Sequence, residues 1–254
     1  MDIPLFGEVV KNVFVGLVIG FAIGMTGVGG GAVVLPALIH VLGISPVQAV
    51  GTGLVYAMIT KLGGAVSHIR LKTVRPRRSL FFLLGGVPGV LVSSRIVNVL
   101  SGTLDVAVVD RVVQFSMALL MVAVAVVILV QTLFFQDRLE AGKKLYCRGG
   151  PFPARKKVVS VVSGVVIGMV MGATSIGGGV LILPVFMLFL NASAIEAVGS
   201  SIVISLVVSG LGGGMYLLEG NVRLVTVLLL CVGSVPGEIR EESFGTSNGA
   251  GIPA

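Results

Sequence analysis

Hydrophobic residues form long uninterrupted runs along this chain, separated by short polar segments. The first run extends from Asn12 to Val41 without a charged residue. As one straight helix at about 1.5 Å per residue, it would be roughly 45 Å long, which exceeds the ~30 Å of bilayer hydrocarbon. The run therefore predicts a membrane helix that is interrupted along its length.

Two glycine triplets, Gly29–Gly31 and Gly177–Gly179, supply such an interruption in similar contexts. Each glycine lowers helix propensity by about 1 kcal/mol relative to alanine, so we predict helix, break and helix at both places. The second helix of each pair is expected to start near Ala32 or Val180. Broken backbone within a bilayer is tolerated where it is packed in protein or lines a wet cavity, and a duplicated break indicates a substrate site.

Glycines also recur every four residues, from Gly16 to Gly24 and from Gly164 to Gly172. This spacing forms a small-residue face that favours close helix packing in a membrane. Further apolar runs predict the remaining elements: spanning helices at Val47–Ser67, from Ser79 to about Val92 and at Val112–Phe135, with a polar connection at Asn98–Arg111.

The two glycine triplets belong to a longer internal repeat. A shift of 148 residues aligns Gly16–Gly89 with Gly164–Gly237 without a gap and places Pro36 on Pro184. The alignment predicts an all-α polytopic membrane protein with two homologous repeats of transmembrane helices, each with a glycine-broken helix. The expected division is a first transmembrane repeat at 1–136, a basic cytoplasmic linker at 137–157, a second transmembrane repeat at 158–237 and a polar tail at 238–254.

The second repeat is expected to be truncated. The apolar run Leu224–Gly237 is about fourteen residues long, which is short for a span, and Glu238–Glu242 and a Ser/Gly/Asn-rich tail follow it. We interpret this as a truncation or frameshift that removes about one and a half helices, with a tail that is disordered or frame-shifted.

The relative orientation of the repeats depends on the broken segment. A segment that crosses once predicts parallel repeats, whereas a re-entrant hairpin predicts inverted ones. The loop Arg70–Arg78 holds five basic residues, and its counterpart Leu218–Arg223 holds one, opposed by Glu219. Unequal charge suits opposite sides of the membrane, which favours inverted repeats.

Composition supports a membrane protein. The chain is 55% hydrophobic and 11% charged, with a mean hydropathy of +1.08, which is far too apolar for an ordinary soluble domain. Twelve of the eighteen Lys and Arg residues lie in Arg70–Arg78 and Arg138–Lys157. Such clusters are typical of positive-inside loops rather than of a nucleic-acid site, so both loops are expected to be cytoplasmic.

The glycine breaks carry the candidate chemistry. Amide N–H groups at a helix start attract anions, and the missing Cβ lets a ligand approach the backbone. Nearby hydroxyl groups add donors, although they equally suit bonds to their own helix, and the glycines equally suit tight packing. The predicted substrate-binding residues are Thr26, Gly29, Gly30, Gly31, Thr52, Lys61, Thr174, Ser175, Gly177, Gly178, Gly179, Ser200 and Ser201.

Lys61 is the cation in this set. It lies about fourteen residues into its predicted helix, where an unpaired charge costs about 2.5–3.5 kcal/mol, so it either faces the bundle interior or snorkels to the surface. The equivalent position in the second repeat is Ser209. Binding of an anion and snorkelling both stay open.

Catalytic patterns are absent from the sequence: it contains no HExxH, GxSxG or P-loop motif. Cys147 and Cys231 form no CxxC pair. We therefore expect no enzymatic activity, no catalytic residue, no metal site and no cofactor. An intramembrane protease that pairs Ser175 with His68 is the catalytic alternative, and it is disfavoured because Gly27 occupies the position equivalent to Ser175.

The duplicated motif resembles that of a known family. The chain resembles the sulfite exporter TauE/SafE family in the segment Gly20-x3-Gly24-x2-Gly27-x-Gly29-Gly30-Gly31-x4-Pro36, in the following Ser45-Pro46-x-Gln48-Ala49-Val50-Gly51-Thr52 and in their second-half copy. The resemblance covers roughly Val13 to Gly237. It implies a secondary transporter of about eight segments, from a family linked to export or uptake of sulfite, sulfonates and other small sulfur-containing anions.

From the residues and the resemblance together, we expect a multi-pass protein of the bacterial inner membrane that exports a small inorganic or organosulfur anion. Its expected partners are this anion and the lipid bilayer, with no nucleic acid, and a second copy in a homodimer is a further candidate. The alternatives are a channel or carrier for another small solute or metal ion, and a non-functional truncated fragment.

Overall fold

The computed structural model describes residues 6–26, 31–103, 108, 111–116, 118–119, 121–122, 125–126, 154–176, 178–190 and 192–234. Most of these residues are helical. The elements are α1 (Phe6–Thr26), α2 (Gly31–Pro36) with its π-helical continuation Ala37–Val41, α3 (Pro46–Arg70), α4 (Pro76–Thr103), α5 (Ala154–Thr174), α6 (Ile182–Leu188), α7 (Ala194–Leu218) and α8 (Leu224–Ser234).

Five of these helices, α1, α3, α4, α5 and α7, are long and apolar enough to cross a membrane. The stretches in α3 and α4 contain 25 and 28 residues, and at about 1.5 Å per residue either exceeds the ~30 Å of bilayer hydrocarbon. Large apolar side chains such as Phe14 and Val162 are exposed on the outer surface, which suits contact with lipid. The described part of the chain thus confirms a helical, multi-pass membrane protein.

Both predicted interruptions coincide with helix ends. Helix α1 ends at Thr26 and α2 begins at Gly31, while α5 ends at Thr174 and α6 begins at Ile182. The start of α6 lies two residues beyond the predicted Val180, because the chain still forms turns at residues 178–181. The helices that follow the breaks are short, with 6 residues in α2 and 7 in α6.

Helix α4 corrects the predicted polar connection at Asn98–Arg111, because it continues through Pro88 to Thr103. Two polar residues in this part of α4 form hydrogen bonds, one to another element of the bundle and one within its own helix. Asn98 is buried, and its Oδ1 accepts a hydrogen bond from Asn221 Nδ2 at 2.8 Å. Ser101 Oγ donates to the Asn98 carbonyl oxygen at 2.7 Å. Polar composition at residues 98–103 therefore marks helix–helix contact and not a loop.

Helices α4 and α5 pack with their backbones in direct contact. A Cβ atom on Gly168 would lie 2.9 Å from Gly86 Cα, and one on Gly89 would lie 2.5 Å from the carbonyl oxygen of Val165. Neither position has room for a side chain, and Gly168 belongs to the predicted small-residue face. The apolar core continues from this contact to α6, where the ring of Phe186 lies 5.8 Å from the ring of Phe82 on α4.

Contacts at their ends show that α3 and α7 are antiparallel. The turn after α3 meets the start of α7, where Arg75 Nε donates to Glu196 Oε1 at 2.7 Å. The turn after α7 meets the start of α3, where Arg223 Nε donates to Gln48 Oε1 at 3.1 Å. We call the end of the bundle with residues 71–75 the α3–α4 face, and the end with residues 219–223 the α7–α8 face.

Each broken segment begins and ends at one face of the bundle. Helix α5 begins at the α3–α4 face, where Lys157 Nζ lies 5.4 Å from the centre of the Phe81 ring, and α6 leads back to the start of α7 at the same face. Helix α1 runs beside α8 in the same direction, with Gly16 against Leu230 and Gly20 against Ser234, so it begins at the α7–α8 face. Helix α2 then leads to the start of α3 at that face. The two segments are hairpins that enter from opposite faces.

Several predictions fall on residues without a described structure. The linker predicted at 137–157 is described from Ala154 onward, and the tail predicted at 238–254 lies outside the described residues. The predicted span Val112–Phe135 is described in part, up to residue 126, and its described residues are helical.

Candidate functional site

The second glycine break places a strained serine between two helices. Ser175 directly follows α5 and has φ of +57°, in the left-handed region that non-glycine residues rarely occupy. Such a conformation costs on the order of 1–3 kcal/mol unless the surroundings impose it. The side chain is 3% exposed and packs on Gly53 of α3, where an added Cβ would lie 2.9 Å from Ser175 Oγ. The absence of a side chain at Gly53 therefore makes room for Ser175.

The Ser175 hydroxyl has no hydrogen-bond partner among the described residues, although it is buried. A buried polar group without a partner costs about 1–3 kcal/mol. Its neighbour Thr174 differs, because Thr174 Oγ1 donates to the Val170 carbonyl oxygen at 2.7 Å and accepts from Ile176 N at 3.4 Å. Of the two hydroxyl groups, that of Ser175 is therefore the one without a described hydrogen-bond partner.

Lys61 reaches the same break from α3. Its Nζ donates a hydrogen bond to Ser205 Oγ on α7, and Ser205 is fully buried. Gly178 lies against both groups, because a Cβ added there would collide with Ser205 Oγ and Lys61 Nζ. The ammonium group is thus directed into the bundle. The contacts of Lys61 on α3 with Ser205 on α7 and with Gly178 connect these two helices to the break between α5 and α6.

The Lys61 charge has no acidic partner among the residues the structure describes. The described ion pairs join Arg75 with Glu196 at the α3–α4 face and Arg95 with Glu219, 2.7 Å apart, at the α7–α8 face. An unpaired charge within a bilayer costs about 2.5–3.5 kcal/mol on insertion scales. A hydroxyl oxygen offsets this cost only in part, because it carries no negative charge.

Thr52 and Ser200 bond the turns at the two faces of the bundle. Thr52 Oγ1 accepts a hydrogen bond from Arg223 N at 3.1 Å, and Ser200 Oγ accepts one from Arg75 N at 3.1 Å. Ser201 Oγ donates to the carbonyl oxygen of Val198 in its own helix at 2.8 Å. These hydroxyl groups serve the backbone here, and their contact with a substrate stays a prediction.

Other predicted site residues are only partly described. Gly31 begins α2, and the carbonyl oxygen of Gly179 accepts from Leu183 N at 3.0 Å. The residues outside the description are Gly29, Gly30 and Gly177, together with the side chain of Thr26.

Ser205 is the site residue that sequence reasoning missed. A signal was present, because Ser201, Ser205 and Ser209 recur every four residues and therefore share one face of α7. The same pattern is equally typical of packing in membranes, and only the position of Lys61 on α3 singles out Ser205.

The geometry argues against the predicted alternative of a Ser175–His68 protease. Ser175 contacts Gly53, whereas His68 lies fifteen residues further along α3, or about 22 Å at 1.5 Å per residue. His68 Nδ1 instead lies 2.9 Å from Thr73 Oγ1 at the α3–α4 face. The two side chains cannot exchange a proton directly.

A recess of about 530 Å³ lies on α4 and α7, away from the break. Apart from Arg95, its walls are apolar, and they include Val92 and Ile96, which are exposed on the outer surface. Such a groove suits lipid chains and not a hydrated anion. The break between α5 and α6 therefore stays the candidate site.

The fold and the break define a polytopic helical membrane protein with a cation inside its bundle. The chain belongs to the family described as Sulfite exporter TauE/SafE, which it matches over residues 13–239. The resemblance drawn from the duplicated motif is confirmed, and the protein is a multi-pass membrane transporter of the cell membrane.

Similar curated proteins are named as transporters. The chain is 32% identical over 229 residues to "Probable membrane transporter protein YjnA" of Bacillus subtilis (strain 168), covering 90% of this chain and 87% of that protein. It is 27% identical to "Probable membrane transporter protein YunE" of the same strain, covering 87% of this chain and 83% of that protein. A "Probable membrane transporter protein" of Haemophilus influenzae is 28% identical, covering 78% of this chain and 69% of that protein. No solved structure matches the chain significantly.

Proposed function

We propose that this protein is a secondary transporter that exports a small sulfur-containing anion, such as sulfite or an organosulfonate, across the cytoplasmic membrane. The observation that carries the proposal is Lys61, a cation directed into the bundle and held against a glycine break. Membership of the sulfite exporter family supports the substrate class. A cation directed into the bundle next to a glycine backbone suits an anion better than a metal ion or a neutral solute.

In the proposed site the anion binds beside Gly178. Lys61 supplies the charge, the Ser175 hydroxyl donates a hydrogen bond, and the backbone N–H groups of Gly177–Gly179 supply further donors. These groups replace the water that the anion loses on entering the bundle. The first break, with Thr26 and Gly29–Gly31, lines the path from the other side.

The chain is proposed to consist of two inverted repeats, and pairs of contacts related by the 148-residue shift support this. Arg75 N donates to Ser200 Oγ, and the equivalent Arg223 N donates to the equivalent Thr52 Oγ1, both at 3.1 Å. The Arg75 and Arg223 side chains bind Glu196 and Gln48, which also occupy equivalent positions. Matched contacts at opposite faces are expected when two similar units are related by a two-fold axis in the membrane plane.

Alternating access follows from this arrangement. The two hairpins enter from opposite faces, and contact between Lys61, Ser205 and Gly178 closes the bundle between them. Movement of one hairpin away from α3 and α7 opens the site to that hairpin's own face. The anion then passes from one face to the other without a continuous pore.

Counterflow in proteoliposomes tests the proposed function. The full chain is reconstituted, and sulfite, sulfate, thiosulfate and sulfoacetate are offered in turn against labelled sulfite. We expect exchange with sulfite and with at least one sulfonate. Protein that is monodisperse and inserted but exchanges none of the four anions would contradict the proposal.

Gly178→Leu is the matching variant. The leucine side chain would occupy the space of Ser205 Oγ and Lys61 Nζ, so we expect loss of counterflow with normal membrane insertion. Gly214→Leu is the control, because no heavy atom lies within 4 Å of a Cβ at Gly214. Equal flux in the two variants would remove the second break from the path.

A further inference from the structure

The proposed transport site is asymmetric between the two halves of the chain. By the 148-residue shift, Lys61 falls on Ser209 and Ser205 falls on Ala57. Ser209 Oγ donates to the carbonyl oxygen of Ser205 within its own helix at 2.6 Å, and it carries no charge. The first break therefore has no counterpart to the Lys61–Ser205 pair, and the positive charge serves one site per chain.

The charge of this site is set by Lys61 among the described residues. The described acidic residues are Glu8, which is exposed on α1, and the two ion-paired carboxylates Glu196 and Glu219 at opposite faces. None of them contacts the ammonium group. An anion with one negative charge neutralises the site, whereas an anion with two leaves a net negative charge in a medium of low dielectric constant.

The contacts of Gly178 also determine what an anion must displace. Gly178 lies against both Ser205 Oγ and Lys61 Nζ, and these two atoms are hydrogen-bonded to each other. No space separates the ammonium group from its acceptor. An anion that pairs with Lys61 must therefore take the place of the Ser205 hydroxyl, which acts as a neutral acceptor while the site is empty.

We infer that the site at Lys61 selects singly charged oxyanions, such as a sulfonate or hydrogensulfite, over dianions such as sulfate, and that the anion binds by displacing Ser205 from Lys61. This inference rests on the proposed function for the location of the site. Beyond the location, the inference specifies that the substrate carries one negative charge and that Ser205 competes with it for Lys61.

Isothermal titration calorimetry of the purified full chain tests the inference with methanesulfonate and sulfate, which carry one and two charges at neutral pH. We expect methanesulfonate to bind at least tenfold more tightly than sulfate. Lys61→Met should weaken methanesulfonate binding at least tenfold, and it removes a charge from the bilayer, so insertion is not impaired. Arg77→Gln removes one charge from the exposed start of α4 and should change the dissociation constant less than twofold.

Ser205→Ala separates displacement from simple contact. Without the hydroxyl, Lys61 has no acceptor in the empty site, so methanesulfonate should bind more tightly, by about tenfold for a charged hydrogen bond. Unchanged or weaker binding would overturn the displacement. Equal affinity for the two anions, binding that survives in Lys61→Met, or no binding at all would overturn the selective site.

Sulfite counterflow is the separate measurement for transport. Wild-type counterflow together with equal affinity for methanesulfonate and sulfate would overturn this inference and leave the proposed function standing. A tenfold preference for methanesulfonate without any counterflow would support the site and contradict transport.

Discussion

Glycine residues serve two different purposes in this chain. Along α4 and α5 the missing Cβ lets two backbones touch, and Gly168 against Gly86 is the clearest case. At the second break the missing Cβ lets the backbone at Gly178 approach the polar atoms of Lys61 and Ser205. Substitution of the first kind should reduce stability, whereas substitution of the second kind should reduce transport.

The packing role predicts a difference between two alanine substitutions. In Gly168→Ala the new Cβ would lie 2.9 Å from Gly86 Cα, so the helices must separate, and we expect a loss of about 1–3 kcal/mol in the free energy of unfolding. Gly214→Ala places its Cβ in open space and gains up to about 1 kcal/mol of helix propensity. Unfolding of both variants in detergent measures the difference. Equal stabilities would rule out backbone contact between α4 and α5.

At the residue scale, part of the site was predictable. Lys61 could be singled out because a charge within an apolar run must find a polar environment. Its hydrogen bond to Ser205 could not be predicted, because it depends on which face of α7 turns toward α3. The open hydroxyl of Ser175 depends likewise on the left-handed turn after α5, and one sequence shows no such backbone angle.

At the element scale, hydrogen bonds join the turn after each central helix, α3 or α7, to the first turns of the other central helix. At each face, the turn that follows one central helix donates a backbone N–H group to a hydroxyl near the start of the other. The arginine in each turn adds a side-chain contact, with Glu196 at one face and Gln48 at the other. These contacts hold α3 and α7 together at both ends.

Removal of either hydroxyl group should therefore lower stability by a similar amount. Thr52→Ala and Ser200→Ala each leave one turn N–H group without its acceptor, and we expect a loss of about 1 kcal/mol in each. The double variant should show the sum, because the sites lie at opposite faces. Ser201→Ala is the control, since its hydroxyl bonds only to its own helix. A control that loses as much as Ser200→Ala would contradict this role for the turn contacts.

Elements with strong local signals were predicted well. The glycine triplets lie where α1 and α5 end, and the central helices α3 and α7 follow apolar runs. The predicted end of α4 near Val92 was wrong, because the polar residues from Asn98 to Arg111 were interpreted as a connection. Tertiary contact explains the difference, because Asn98 of α4 accepts a hydrogen bond from Asn221 in the turn after α7, and no local pattern reveals that partner.

The whole molecule combines two hairpins, α1–α2 and α5–α6, with the central helices α3 and α7. The hairpins enter the bundle from opposite faces, and the central helices run from one face to the other. Arg155, Lys156 and Lys157 begin α5 at the same face as the basic turn between α3 and α4. Two basic clusters at one face are typical of the cytoplasmic side, so we expect the α7–α8 face to lie outside. The proposed inverted repeats require this arrangement, because equivalent turns must then lie on opposite sides of the membrane.

Cysteine labelling tests this topology directly. In a background with Cys147→Ser and Cys231→Ser, Leu218→Cys introduces a thiol at the α7–α8 face, where the side chain is 85% exposed, and Arg77→Cys introduces one at the α3–α4 face. A membrane-impermeant maleimide should label Leu218→Cys in right-side-out vesicles and Arg77→Cys in inverted vesicles. Labelling of both positions from one side would require parallel repeats, and the two hairpins could then not provide access from opposite sides of the membrane.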